Sequence, residues 1–184
     1  MKSTYSSIAA ALLLMVVPLC IAQSPHSDNS SKGQARLMRE VRHELVMLPY
    51  YGVFDNLTYN VNGGTVRLSG QVTRPTLKTS AEKSVKEIEG VEKVDNGIEV
   101  LPLSPMDDQI RLAVYRAIYS QPSLNRYALQ AVPPIHIIVK NGAVNLVGVV
   151  ATEMDKIIAE TQAKSVPGTF AITTNELMIE SREK

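Results

Sequence analysis

The chain has 184 residues, with 19 basic and 18 acidic side chains, no tryptophan and 5% aromatic residues. That length holds one medium domain or two small ones. Near-zero net charge argues against a phosphate-backbone partner, and the scarcity of rings argues against a base- or sugar-stacking surface. At the N-terminus, Lys2, the apolar run 8–17 and the small residues around Cys20-Ile21-Ala22 supply the three parts of a secretory signal. Residues 1–22 are therefore expected to be a cleaved signal peptide, because even 8–22 is shorter than the ~20 apolar residues that span a bilayer. Leu19 is too large for the position before an acylated cysteine, which disfavours a lipoprotein through Cys20. Cleavage takes away the one cysteine, and with it thiol, disulfide and cysteine-metal chemistry. It also removes Lys2 and leaves basic and acidic residues equal at 18.

Residues 23–34, QSPHSDNSSKGQ, are polar and lack core-forming side chains, so they read as a flexible leader. From Ala35 a helical period begins. Leu37, Met38, Val41, Leu45 and Leu48 fall on one face, and Pro49 ends the helix. A strand at 57–61, an Asn62-Gly63-Gly64 turn needing positive φ at its centre, and a return strand at 65–72 follow. A helix at 75–88 then carries Leu77, Ala81, Val85 and Ile88 inward, Gly90 stops it, and a strand at 91–101 closes the unit.

The unit then repeats. Residues 57–90 recur without a gap as residues 135–168, with Leu57 on Ile135, Val66 on Val144 and Leu68 on Leu146. Gly64, Gly70 and Gly90 meet Gly142, Gly148 and Gly168. Gly70 and Gly148 stand inside strands, where glycine marks a bulge or the close approach of another backbone. The second copy opens with Ser104 as a cap, Pro105 at the first helical position, and Asp107 and Asp108 facing the positive end of the dipole. Its first strand, 135–139, is almost continuously apolar where the first copy alternates. It also has five extra residues within 120–134, an irregular but apolar stretch that either packs over its own domain edge or presents a patch made of Leu124, Tyr127, Leu129 and Val132. The linker 101–105 is short and stiffened by proline. The expected fold class is α+β: two tandem small domains, 35–102 and 103–181, each ordered α-β-β-α-β, with a three-stranded sheet covered on one face by two helices.

This order of helix, strand, Asn-Gly turn, V-x-L-x-G, helix, Gly and a closing V-x-x-V-x-N-x-I-x-V strand resembles the BON (bacterial OsmY and nodulation) domain. Val66, Leu68, Val72, Val91, Val94, Asn96, Ile98 and Val100 hold the pattern in the first copy, and Val144, Leu146 and Val150 hold it in the second, beside the glycines named above. The second copy departs at Thr169-Phe170, and its Asn175 is displaced by one residue. The resemblance implies an exported, non-enzymatic protein, periplasmic or secreted and peripherally membrane-associated, that binds membrane phospholipid. As an alternative it implies a soluble periplasmic stress or chaperone-like protein that binds other envelope proteins. The motif glycines and valines are architectural, so no binding site comes with the resemblance.

The residues supply no catalytic constellation. His26, His43 and His136 have no metal-ligand spacing, Ser69 lies in a strand rather than a nucleophile elbow, and the hairpin glycines are not a phosphate-binding loop. No cofactor and no small-molecule substrate are indicated, and nucleic acid is a poor partner. One helix departs from a plain buried stripe. Met154 and Ile157 replace Thr76 and Thr79 of the first copy, near Lys156 and Lys164. Such a face either packs against the other repeat or meets lipid or a partner.

Overall fold

The computed structural model describes residues 27–180, with side chains from residue 31; the expected signal peptide lies outside the described residues. Helix α1 (Ser27–Val46) leads into β1 (Asn56–Asn62), β2 (Thr65–Val72), α2 (Pro75–Lys86), β3 (Lys93–Asn96) and β4 (Glu99–Val100). The second repeat follows with α3 (Pro105–Tyr119), the short α4 (Asn125–Ala128), β5 (Ile135–Lys140), β6 (Ala143–Val150), α5 (Glu153–Lys164), β7 (Ala171–Thr173) and β8 (Leu177–Ile179). In each sheet the return strand is central. β2 pairs antiparallel with β1 and parallel with β3 and β4, while β6 does the same with β5, β7 and β8. The parallel pairing requires a crossover, and α2 and α5 provide it.

Two helices cover one face of each sheet. Leu37, Val41 and Leu45 of α1 and Leu77, Ala81 and Val85 of α2 pack on Val66, Leu68 and Val72. In the second repeat Ile110, Val114 and Ile118 of α3 and Ala159 and Ala163 of α5 pack on Ile135, Ile137, Val144 and Leu146. Ser104 caps α3 by accepting from the Asp107 amide at 3.2 Å.

The structure departs from the sequence reading in three ways. α1 begins at Ser27, so residues 27–34 are helical rather than a flexible leader. Once the packed stripe has nucleated the helix, adding turns costs little, and the Gln34 side-chain amide fixes this end by donating to the Val61 carbonyl at 2.8 Å. The closing strand is broken in both copies. In the first, the Gly97 amide donates to the Leu68 carbonyl at 2.9 Å between β3 and β4. In the second, the Gly148 amide donates to the Glu176 carbonyl at 3.1 Å between β7 and β8. Finally, Asn141 and Gly142 both take positive φ, 52° and 75°, whereas in the first hairpin only Gly63 does, at 58°. The Gly64 carbonyl accepts from the Glu92 and Lys93 amides at 2.7 and 3.2 Å.

The inner-strand glycines answer a shape requirement. Gly70 and Gly148 have φ of 109° and 129°, and a Cβ would run into the carbonyl oxygen of Asn56 or Pro134 on the neighbouring segment. Gly90 and Gly168 follow the second helices, also with positive φ.

The two repeats differ on the face without helices. In the first sheet Thr58, Asn60, Arg67 and Ser69 are exposed there. In the second, Ile138 and Val147 are buried with Leu101 of the linker. The first repeat covers this region. The Ile137 amide donates to the Val53 carbonyl at 2.8 Å, Tyr51 stacks on His136, Phe54 meets Tyr115 edge-on, and Lys140 pairs with Glu99.

Gly148→Ala should destabilise the protein by about 3 kcal/mol, through backbone collision and strained φ. Gly33→Ala, inside α1 with open space around it, should stabilise by about 0.5 kcal/mol. Urea denaturation of both variants checks the sign of each.

Candidate functional site

The exposed face of α5 is set by its first turn. Thr152 accepts from the Asp155 amide at 3.1 Å and donates its hydroxyl back to the Asp155 carboxylate at 2.8 Å. That carboxylate is 3% exposed and also accepts from Arg126 at 2.6 Å and from the Tyr127 hydroxyl at 3.0 Å. The Tyr127 hydroxyl in turn accepts from the Ala151 amide at 2.8 Å. The extra segment of the second repeat thus holds α5 in a fixed rotation. That rotation turns Ala159 and Ala163 inward and leaves Met154 61% and Ile157 48% exposed.

Met154, Ile157, Thr161 and Lys164 recur at helical spacing and are all exposed, so three of the four residues singled out on this helix share one surface. The fourth, Lys156, is half-buried and makes no ion pair among the described residues. Lys164 donates to Glu160 at 2.5 Å and holds its carboxyl below the usual carboxylate range. This charge is therefore largely matched, and the face is apolar more than basic. The possibility that the first repeat covers it is not realised: Met154 and Ile157 stay exposed, and the contacts between repeats fall on β5 and on Tyr115 of α3 instead.

The second candidate patch does not form a surface. Leu124 is fully buried and Tyr127 is 7% exposed, both within the core of the second repeat. The reason is the Asp155 bond, which draws the Tyr127 ring inward. Leu129 remains exposed and Val132 is half-buried, so the stretch packs over its own domain edge.

Of the histidines, His26 lies outside the described residues, His43 is exposed on α1, and His136 sits at the junction of the repeats. Among the described residues no group of three or more His, Cys, Asp or Glu is arranged to hold a metal ion. None of the described helices is long and apolar enough to cross a membrane.

The structure adds an exposed residue that the sequence reading did not single out. Phe170 is 87% exposed, with its amide donating to the Gly142 carbonyl at 2.9 Å and its ring so close over Gly142 that a Cβ there would strike it. It occupies the place of Glu92 in the first copy, which lies over Gly64 in the same way. The available signal was the departure from the repeat pattern at Thr169-Phe170. The Gly142 amide, with that of Asn141, also donates to the buried Asp107 carboxylate, at 2.8 and 3.0 Å, which ties the hairpin tip to α3.

A family model described as the BON domain matches the chain twice, over residues 35–102 and 107–180. Two solved structures are similar in part. One is from structural studies of CdsD, a structural protein of the type III secretion system of Chlamydia trachomatis, 13% identical, covering 79% of this chain and 92% of that one with a TM-score of 0.32. The other is the C-terminal domain of CdsD, 13% identical, covering 80% and 99% with a TM-score of 0.29. No curated protein matches the chain.

Asp155→Ala should leave Arg126, Tyr127 and Thr152 without their shared acceptor, cost about 2 kcal/mol and raise amide exchange in the first turn of α5. Denaturation and hydrogen-exchange mass spectrometry check both effects.

Proposed function

Because this chain belongs to the BON domain family, whose domains are in general non-catalytic and are known in envelope-associated, phospholipid-binding proteins, we propose that it is an exported, non-enzymatic protein of the bacterial cell envelope that docks on membrane phospholipid through the exposed face of α5. The observation that carries this reading is the pair Met154 and Ile157, apolar and open to solvent on a helix whose counterpart in the first repeat has Thr76 and Thr79. An amphipathic helix lying in the interface inserts such side chains among the acyl chains while lysines stay at headgroup level.

Full burial of a side chain of this size is worth roughly 1.5–3 kcal/mol, and both are already partly covered. The association is therefore weak and reversible. With the charges balanced, insertion contributes more than electrostatic attraction. The alternative, a soluble stress or chaperone-like protein holding other envelope proteins, relied on the apolar set Leu124, Tyr127, Leu129 and Val132, of which only Leu129 and part of Val132 reach the surface.

Residues 23–184 should float with phospholipid vesicles, and the double variant Met154→Ser, Ile157→Asp should lose flotation while keeping its circular dichroism spectrum. Raising salt to 0.5 M should reduce wild-type flotation only slightly, because screening acts on charge and not on insertion. No flotation with either anionic or zwitterionic vesicles would count against lipid docking.

A further inference from the structure

His136 stands where the two repeats meet. Its ring stacks on Tyr51 with centroids 5.7 Å apart and planes 27° from parallel. The next amide along β5, that of Ile137, makes the bond to Val53 that ties the strand's outer edge to the first repeat. Yet Nδ1 of His136 is enclosed and has no hydrogen-bond partner. A neutral ring tolerates this with Nδ1 as a bare acceptor, whereas a protonated ring must carry a proton on both nitrogens and bring its charge into the junction.

The groups around it do little to receive that charge. Burial pushes the imidazole below its ordinary value of 6.5, and the backbone of Asp55 and Gly52 and the Asp55 carboxylate pull less strongly the other way. That carboxylate is already held by the Thr73 amide and hydroxyl at 2.7 and 2.8 Å and by the Gly52 amide at 3.3 Å. The Tyr51 hydroxyl is pushed up to about 12, mainly by burial, and stays neutral. Further along the same face of the sheet, Lys140 is paired with Glu99, and Asn145 leaves its Oδ1 buried without a partner. The linker contributes apolar Leu101.

We propose that His136 is an acid-sensitive latch between the repeats: on taking up a proton it releases residues 51–55 from β5, the repeats part, and the apolar face of the second sheet is uncovered. That face comprises Ile138 and Val147, now buried with Leu101, and runs on into Val149 and Met178, which pair across β6 and β8 and are already exposed. The latch is separate from the α5 face and does not depend on lipid docking there.

The direction follows from linkage. With the repeats apart, His136 titrates near its ordinary value; docked, it binds fewer protons. Docking is therefore insensitive to pH above about 6.5 and weakens below it, by at most about tenfold at pH 5.5, and it levels off once the docked imidazole also protonates.

The test is hydrogen exchange of the full chain between pH 7.5 and 5.5, reading Ile137 against Leu146 in the central strand so that the intrinsic pH dependence cancels. The expected result is a loss of Ile137 protection relative to Leu146 of up to about tenfold, with a parallel rise in bis-ANS fluorescence. His136→Phe, which keeps a ring against Tyr51, should abolish both responses. Unchanged relative protection in the wild type would overturn the proposal, as would the same pH response in His136→Phe. A direct NMR titration of the wild-type imidazole guards against a repacked variant: a midpoint below 6.5, near the pH at which the Ile137 change levels off, supports the latch, and a midpoint at or above 6.5 overturns it.

Discussion

A narrow sheet can be stable in water only if at least one of its faces is buried, and the whole architecture here answers that constraint. Each central strand, β2 or β6, has hydrogen-bonded neighbours on both sides and a helix pair below. A domain this small has a high ratio of surface to volume, so nearly every inward position must count. That explains why the alternating valines and leucines of the central strands are among the most deeply buried of the described residues, with Val66, Leu68 and Leu146 at 0% exposure. It also explains the inner glycines: a neighbouring carbonyl comes so near Gly70 and Gly148 that no side chain fits.

Much of this was legible because it is local. Helical spacing in residues 37–48 and 77–88, the Asn141-Gly142 turn and the Ser104 cap all report on atoms a few residues apart. The ungapped repeat adds a second measurement of each element and fixes the fold class. The errors have physical causes too. The polar composition of residues 27–34 reads as coil, since no composition rule registers a Gln34 side chain bonding to Val61. The interruption of the closing strand depends on bonds with the central strand, from Gly97 to Leu68 and from Gly148 to Glu176, that sequence spacing does not place. For Leu124 and Tyr127 the two readings, packing over the domain's own edge and an exposed patch, stayed open because the acid that holds Tyr127, Asp155, is far off in sequence and close only in space.

The α5 face was legible for a different reason. Comparing the copies showed Met154 and Ile157 where threonines stand in the first repeat, and their exposure agrees with the reading that they do not serve the core. The nearly continuous apolar run of β5 carried a further message. A strand apolar on both sides expects cover on both sides, and here the second cover is the other repeat. The sequence contained the need for that cover but not its source, because the relative placement of two domains rests on few contacts. The repeats have thus diverged in what they leave open: a polar sheet face in the first, an apolar helix face and an exposed Phe170 in the second.

The bond from Ile137 to Val53 also bears on how the chain comes to be made. It occupies the Ile137 amide on the outer edge of β5, which would otherwise be open for pairing beside an apolar face, the combination that recruits other chains into aggregates. Synthesis proceeds from the N-terminus, and domains tend to fold as they emerge. The first repeat is complete before β5 exists, so the more adhesive half of the protein meets its shield as it appears. With the order reversed, the same two domains would leave that edge unguarded for as long as the second took to be made.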